Sequence, residues 1–267
     1  MIKILVVTQN DPFYIPCFFK EFIKILPKEI KVEGLVIQRP FGKKSIIVLF
    51  MQMWNFYGPW NFIRVGFKFV YVKLFCKIIP TRYLKNKLGV VSLERMVREA
   101  KWKTIEIQDI NSLVSINMLM EMNLDLIVSV AASQKFKREI LKVPRYGCIN
   151  VHVAKLPKNR GMMPNFWSLY NYDKERISAI TVHKMNDELD DGPIILQEEF
   201  VLNEKESLHT LIKRTKVLSA HSVVKAILLY TNGEPKYIQN DTSLATYNSF
   251  PTKADVRSFK AKGLNLL

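Results

Sequence analysis

Apolar positions along this chain fall into short runs at strand spacing that alternate with stretches at helical spacing. Lys3 to Thr8 and Val32 to Gln38 are aliphatic runs of strand length, and Pro16 to Leu26 between them reads as a helix. Thr104 to Ile110 and Leu124 to Ala131 repeat the pattern. The segment from Asn111 to Met122 predicts the intervening helix, capped by Asn111 or Ser112. Cys148 to Val153 and Ala179 to Met185 read as two further central strands. Alternation of this kind predicts an α/β fold, a mostly parallel central sheet with helices on both faces. In such sheets ligands sit outside the carboxyl ends of the strands.

Two regions leave this pattern. Ser45 to Ile63 is a run of 19 residues without a charge, rich in Trp, Phe, Met and Ile, flanked by Lys43, Lys44 and Arg64. Its length suits a membrane span. Gly58-Pro59 and the amides Gln52, Asn55 and Asn61 oppose one, because backbone and side-chain polar groups would go unsatisfied in lipid. Val65 to Ile79 is apolar on every side, with Arg64 and Lys68 nearly opposite Lys73 and Lys77, whereas a membrane-surface helix gathers its cations on one face. The pattern favours burial against the core or a partner subunit, as in a homodimer, over peripheral membrane contact. The second region begins near Leu208 with a helix-like run to Tyr230, stops at Asn232-Gly233-Glu234-Pro235, and continues turn-rich through Phe250-Pro251. The expected organisation is a catalytic domain over 1–205, with an aromatic-rich insertion at about 40–95, and a C-terminal appendage over 206–267.

Composition narrows the class without choosing a partner. A chain of 267 residues with 48% hydrophobic residues and a mean hydropathy of +0.02 is globular rather than disordered. Cys17, Cys76 and Cys148 lie far apart with no Cys-x-x-Cys spacing, which predicts buried reduced thiols, no metal site and a cytoplasmic setting. The run Met1 to Thr8 is too short for a signal-peptide core and reads as the first buried strand. A net charge of +16 suits nucleic acid, anionic lipid or a phosphorylated small molecule alike, and a solvated basic surface equally.

The chemistry concentrates between Asn150 and Pro193. If the strand continues through His152, side chains i and i+2 share a face, so the Asn150 amide and the His152 imidazole converge on one ligand. An imidazole, with an ordinary pKa of about 6.5, can take a proton from an attacking amine. An amide N–H can meet a developing oxyanion. A carboxylate from the turn at Asp187, Asp190 or Asp191 would orient the ring and stabilise its charged form. Spacing alone leaves the choice among the three open, and Asp191-Gly192-Pro193 also reads as an ordinary turn. Together these groups compose the inventory of an acyl-transfer site.

Four motifs, Asn150-x-His152, Leu156-Pro157-Lys158-x-Arg160-Gly161, Pro164-x-x-Trp167 and Asp187-Glu188-Leu189-Asp190-x-Gly192-Pro193, resemble the signature of the folate-dependent formyltransferases. That family includes glycinamide ribonucleotide, methionyl-tRNA and sugar N-formyltransferases. The resemblance covers residues 104 to 200 and, more loosely, 1 to 38. It implies a Rossmann-like fold, 10-formyltetrahydrofolate as donor, and a catalytic trio of Asn150, His152 and Asp190. It further implies donor contacts from Ala131, Ser133, Gln134, Phe136, Asp187, Leu189 and Asp191, and acceptor contacts from Lys158, Arg160, Met162, Met163 and Trp167. Ala154, Asn159, Met162 and Met163 depart from the family's usual residues on the acceptor side.

The resemblance also orders the acceptors. Methionyl-tRNA formyltransferases carry a longer C-terminal barrel, formyltetrahydrofolate hydrolases a regulatory domain before the first strand, and glycinamide ribonucleotide formyltransferases a Gly-rich loop where this chain has Thr8-Gln9-Asn10-Asp11-Pro12. An amine on a sugar nucleotide, as used in polysaccharide biosynthesis, is the acceptor that remains. Nucleic acid is the less expected partner, and a folate- or glycan-binding protein without catalysis the less expected role.

Overall fold

A computed structural model describes residues 1–39, 45–78 and 92–267. The central sheet has seven strands: β1 (Ile2–Gln9), β2 (Ile30–Gln38), β3 (Thr104–Ile105), β4 (Leu126–Val130), β5 (Cys148–His152), β7 (Ile177–Lys184) and β8 (Ile194–Val201). They lie in the order β3-β2-β1-β4-β5-β7-β8. The first five pair in parallel, while β5–β7 and β7–β8 are antiparallel. The parallel strands have to be apolar on both faces because helices cover both, and every residue of β4 is buried.

One face carries α1 (Ile15–Ile25), α4 (Leu93–Glu99) and α8 (Leu208–Leu228); the other carries α5 (Leu113–Glu121) and α6 (Arg138–Leu141). Helix α1 starts with a proline in its first turn and buries Ile15, Phe18, Phe19 and Phe22, one stripe at i, i+3, i+4 and i+7. Between the two predicted caps of α5 the structure selects Ser112, whose Oγ accepts the Ser115 N–H at 3.2 Å. A third apolar cluster joins α2 (Ile46–Tyr57), α7 (Pro164–Tyr170) and α9 (Lys253–Ala261) through Phe56, Phe166 and Phe259. Helix α3 (Pro59–Ile78) follows α2 directly, broken from it at Gly58, whose φ of 74° no β-branched or bulky residue adopts cheaply.

Four expectations are corrected. The Thr104 to Ile110 run shortens to the two-residue β3, since β2 offers it an edge only at Leu35 and Val36. The strand around Ala179 to Met185 is central but antiparallel, so the carboxyl-end rule for parallel strands does not apply to it, and its following turn reaches the site by folding back over the sheet face. Residues 206–267 do not form an appendage. Ala220, Val223, Val224, Ala226 and Ile227 of α8 lie in the same core as β1 and β4, and β9 (Tyr247–Asn248) pairs in parallel with β6 (Arg160–Gly161). Nor does the aromatic region bury itself: Phe56 does, but Ile47, Met51, Trp60 and Phe67 are exposed. Among the described residues no helix is long and apolar enough to cross a membrane. Cys148 is buried, Cys17 is half-buried, and the side chain of Cys76 lies outside the described residues, as does the 79–91 part of the insertion.

Candidate active site

Strand β5 ends in Asn150, Val151 and His152, and its antiparallel register with β7 sets Asn150 opposite His183 and His152 opposite Thr181. Alternation therefore brings Asn150, His152 and His183 to one face. The β7–β8 connection folds back over that face and delivers Asp190. Its carboxylate lies 3.4 Å from Asn150 Nδ2, 3.5 Å from His152 Nδ1 and 3.5 Å from His183 Nε2. Of the three candidate aspartates, geometry selects Asp190, which is almost fully buried.

Asp190 sits at φ 52°, and three contacts hold that left-handed conformation in place. The Gly161 N–H donates to Oδ2 at 2.9 Å, while Arg160 Nε and Asn240 Nδ2 donate to the Asp190 carbonyl at 3.0 and 3.1 Å. Burial pushes the Asp190 carboxyl up, but His152, His183 and the Gly161 N–H outweigh it and hold the group well below the usual carboxylate range. The hairpin closes so tightly that a Cβ on Gly192 would stand 1.8 Å from the Lys184 carbonyl oxygen.

The ring of His152 is enclosed at both nitrogens. Nε2 lies 2.9 Å from the carbonyl of Asn159, and Nδ1 faces Asp190. Two acceptors around one ring suit the imidazolium formed when it takes a proton. The amide of Asn150 turns its Nδ2 to His183 Nε2, at 3.2 Å, as well as to Asp190. His183 Nδ1 lies 3.0 Å from the Lys184 carbonyl, so both nitrogens of this ring also have partners within the network.

The residues implied as donor contacts divide. Ser133 and Gln134 belong to a loop fixed by the buried Gln38, whose Oε1 accepts from Ser133 N at 2.8 Å and from Gln134 N at 3.3 Å. Ala131 opens that loop at φ 54°. Arg138, just past it, stands 4.0 Å from Asp187, and Leu189 is exposed, so the two loops implied for the donor are neighbours. Phe136 is corrected: fully buried with Ile127, Ile140 and Cys148, it is core. Asp191 is held by Arg160 and by Asn186 Nδ2 at 3.0 Å.

Of the residues implied as acceptor contacts, Arg160 is likewise turned inward, its guanidinium taken by Asp191 and the Asp190 carbonyl, so it braces the turn that carries Asp190. Lys158 pairs with Glu175 at 3.5 Å. Trp167 donates its Nε1–H to the Ser249 carbonyl at 3.1 Å, and Met163, at φ 55°, packs beside it in the third cluster. Met162 is exposed.

Sequence reasoning missed His183, Gln38 and Asn240. For His183 a signal existed, since period 2 through Thr181 and His183 gives that strand a polar face. For Asn240, in the tail, none did.

A buried Asn–His–Asp cluster, set where the parallel strands of the sheet meet its antiparallel ones, places the chain among α/β proteins whose side chains suit acyl transfer. The formyl transferase family matches residues 92–227, slightly more than half of the chain, and the chain belongs to that family. It is 31% identical over 170 residues to a methionyl-tRNA formyltransferase of Kosmotoga olearia, covering 64% of this chain and 54% of that protein. A methionyl-tRNA formyltransferase of Thermodesulfovibrio yellowstonii is 36% identical over 112 residues, 42% of this chain and 36% of that one. The chain thus spans about half the length, or less, of these curated relatives. Among solved structures, a Shewanella sugar N-formyltransferase aligns with a TM-score of 0.56 at 18% identity, over 98% of this chain and 79% of that one. An N-formyltransferase of Helicobacter canadensis, in complex with folinic acid and dTDP-3-aminofucose, aligns at 0.57 and 17% identity, over 93% and 71%. These likenesses establish the fold.

Proposed function

We propose that this chain transfers a formyl group from 10-formyltetrahydrofolate to a primary amine, with an amino-sugar nucleotide as acceptor. The observation that carries the reading is the convergence of Asn150, His152 and Asp190 at 3.4 to 3.5 Å inside a buried cluster. The amine attacks the formyl carbon and its proton passes to His152. Asp190 stabilises the resulting imidazolium, which returns the proton to the donor nitrogen as the carbon–nitrogen bond to the donor breaks and tetrahydrofolate departs. For Asn150 to meet the oxyanion, a bound carbonyl must take over one N–H now directed at His183 or Asp190. For His152 to act as base at Nε2, the amine must displace the Asn159 carbonyl.

The donor is supported by family membership and by the folinic acid in the Helicobacter structure. The sugar acceptor is supported by that structure's dTDP-3-aminofucose and by this chain's charge of +16, which suits a diphosphate. A second reading, formylation of methionyl-tRNA, is favoured by the names of the sequence relatives. The test follows release of tetrahydrofolate by absorbance with 10-formyltetrahydrofolate alone, with amino-sugar nucleotides, and with methionyl-tRNA. Release that depends on the sugar nucleotide is the expected result. Release with tRNA only would favour the second reading, and release without acceptor would make the protein a hydrolase. Donor binding without turnover on any amine would make it a folate-binding protein.

A further inference from the structure

Helices α2 and α3 fold into a hairpin at Gly58, held together by an aromatic triad. The rings of Phe50 and Trp54 lie 4.9 and 5.5 Å from that of Phe62. The hairpin is moored at its bend by Phe56, 2% exposed, 5.9 Å from Phe166 and 5.3 Å from Phe250, and along α3 by Phe69, whose ring lies 6.2 Å from that of Phe13. Away from these moorings several large apolar side chains face solvent. On α2, Ile47 (72% exposed), Met51 and Trp54 follow one another at i, i+4 and i+7. On α3, Trp60 (82%), Ile63 and Phe67 (74%) do so at i, i+3 and i+7. An amphipathic helix normally turns such a stripe inward, and contiguous exposed patches of this kind mark an interaction surface.

Charge decides what covers it. Between Glu33 and Glu94 the sequence holds ten Lys or Arg and no Asp or Glu. A second copy of the chain would bring an equally cationic segment against this one, so self-association is opposed by like charge. A nucleic acid would satisfy the cations but leave Ile47, Met51 and Ile63 in water. An anionic bilayer satisfies both, because its headgroups meet the basic side chains while its acyl boundary takes the apolar stripe. Arg64 and Lys68 stand exposed at 40° and 80° from Trp60 around α3, on the shoulder of the stripe, where long cationic side chains reach headgroups. Indole rings suit the membrane interface.

We propose that the α2–α3 hairpin docks this protein onto the surface of an anionic lipid bilayer, lying in the interface without spanning it. The mooring of Phe56 on α7, the helix that follows Met162 and Met163, would then hold the acceptor side of the catalytic cluster next to the membrane. The docking stands on the hairpin alone and is independent of the catalytic reading.

The experiment is co-sedimentation of the full chain with vesicles of phosphatidylcholine containing about 30% phosphatidylglycerol, against phosphatidylcholine alone, at about 0.1 M salt. Binding to the anionic vesicles that weakens as salt rises is expected. Because Trp60 and Phe67 are exposed, the double variant Trp60→Ser/Phe67→Ser keeps the wild-type circular dichroism and loses affinity by at least about tenfold. Equal binding by variant and wild type overturns the proposal, as does sedimentation no different from that without vesicles. A concentration-dependent dimer abolished by the same double variant would assign the surface to a second copy and overturn it too. So would an RNA oligonucleotide that binds the wild type, and not the variant, in the absence of vesicle binding.

Discussion

Each side chain of the candidate site is defined by what it is prevented from doing. His152 has no nitrogen free, Asn150 spends its N–H groups inside the cluster, and Asp190 is buried among donors. His152→Ala is expected to lower transfer by at least about 100-fold, the scale of losing a general base, while donor affinity measured by fluorescence titration changes little. Near-normal turnover would remove His152 from the chemistry. Asp190→Asn is expected to lower turnover and also to alter the dependence of stability on pH. The folded protein holds the Asp190 proton less tightly than the unfolded chain, whose carboxyl titrates near about 3.9. The carboxylate thus stabilises the fold above that pH, and the gain is lost as pH falls through the depressed folded value. Melting temperatures should differ most between wild type and Asp190→Asn at neutral pH and converge towards strong acid; a gap independent of pH would refute the assignment.

At the scale of elements, the β7–β8 hairpin is the device that completes the cluster. Its turn must recross the sheet face, and the approach of Gly192 to the Lys184 carbonyl leaves no room for a side chain. Gly192→Ala is expected to cost at least about 1–3 kcal/mol, as overpacking does, and to lower the melting temperature by roughly 2–4 °C per kcal/mol. Turnover should fall further than stability explains, because the displaced turn carries Asp190; unchanged kinetics at a lowered melting point would separate the two. The β6–β9 pairing is the second device. Thr246 Oγ1 accepts the Asn159 N–H and Asn248 Nδ2 donates to Asn159 Oδ1, both at 2.8 Å, so the tail determines where the carbonyl over His152 points.

At the scale of the whole molecule, the 60 residues from the start of α8 cannot be detached. Helix α8 fills the same core as β1 and β4, and Asn240 holds the carbonyls of Asp190 and Gly192 at 3.1 Å. A chain truncated after Lys205 is expected to lose cooperative thermal unfolding in circular dichroism, since it exposes the apolar face of β1, β4 and α1. A truncated chain that melts cooperatively would restore the boundary first expected at 205/206.

The sequence alone determined the α/β layering, because continuous aliphatic runs can satisfy themselves only between two covered faces, and it determined that Asn150 and His152 share a side, because strand period is 2. Resemblance singled out Asp190 among three neighbouring aspartates; spacing could not, since a turn can present any of them. Only the tertiary structure decided that β7 runs antiparallel, that Arg160 braces the turn, that Phe136 is core, and that Asn240 and Thr246 reach the site from the tail. These are contacts between residues far apart in the chain, and no local period or propensity encodes which distant partner satisfies a buried polar group. The α2–α3 hairpin shows the same limit from the other side. Its uncharged, aromatic-rich run was legible, but composition does not say whether an apolar residue faces a core or solvent; that depends on whether another element arrives to cover it.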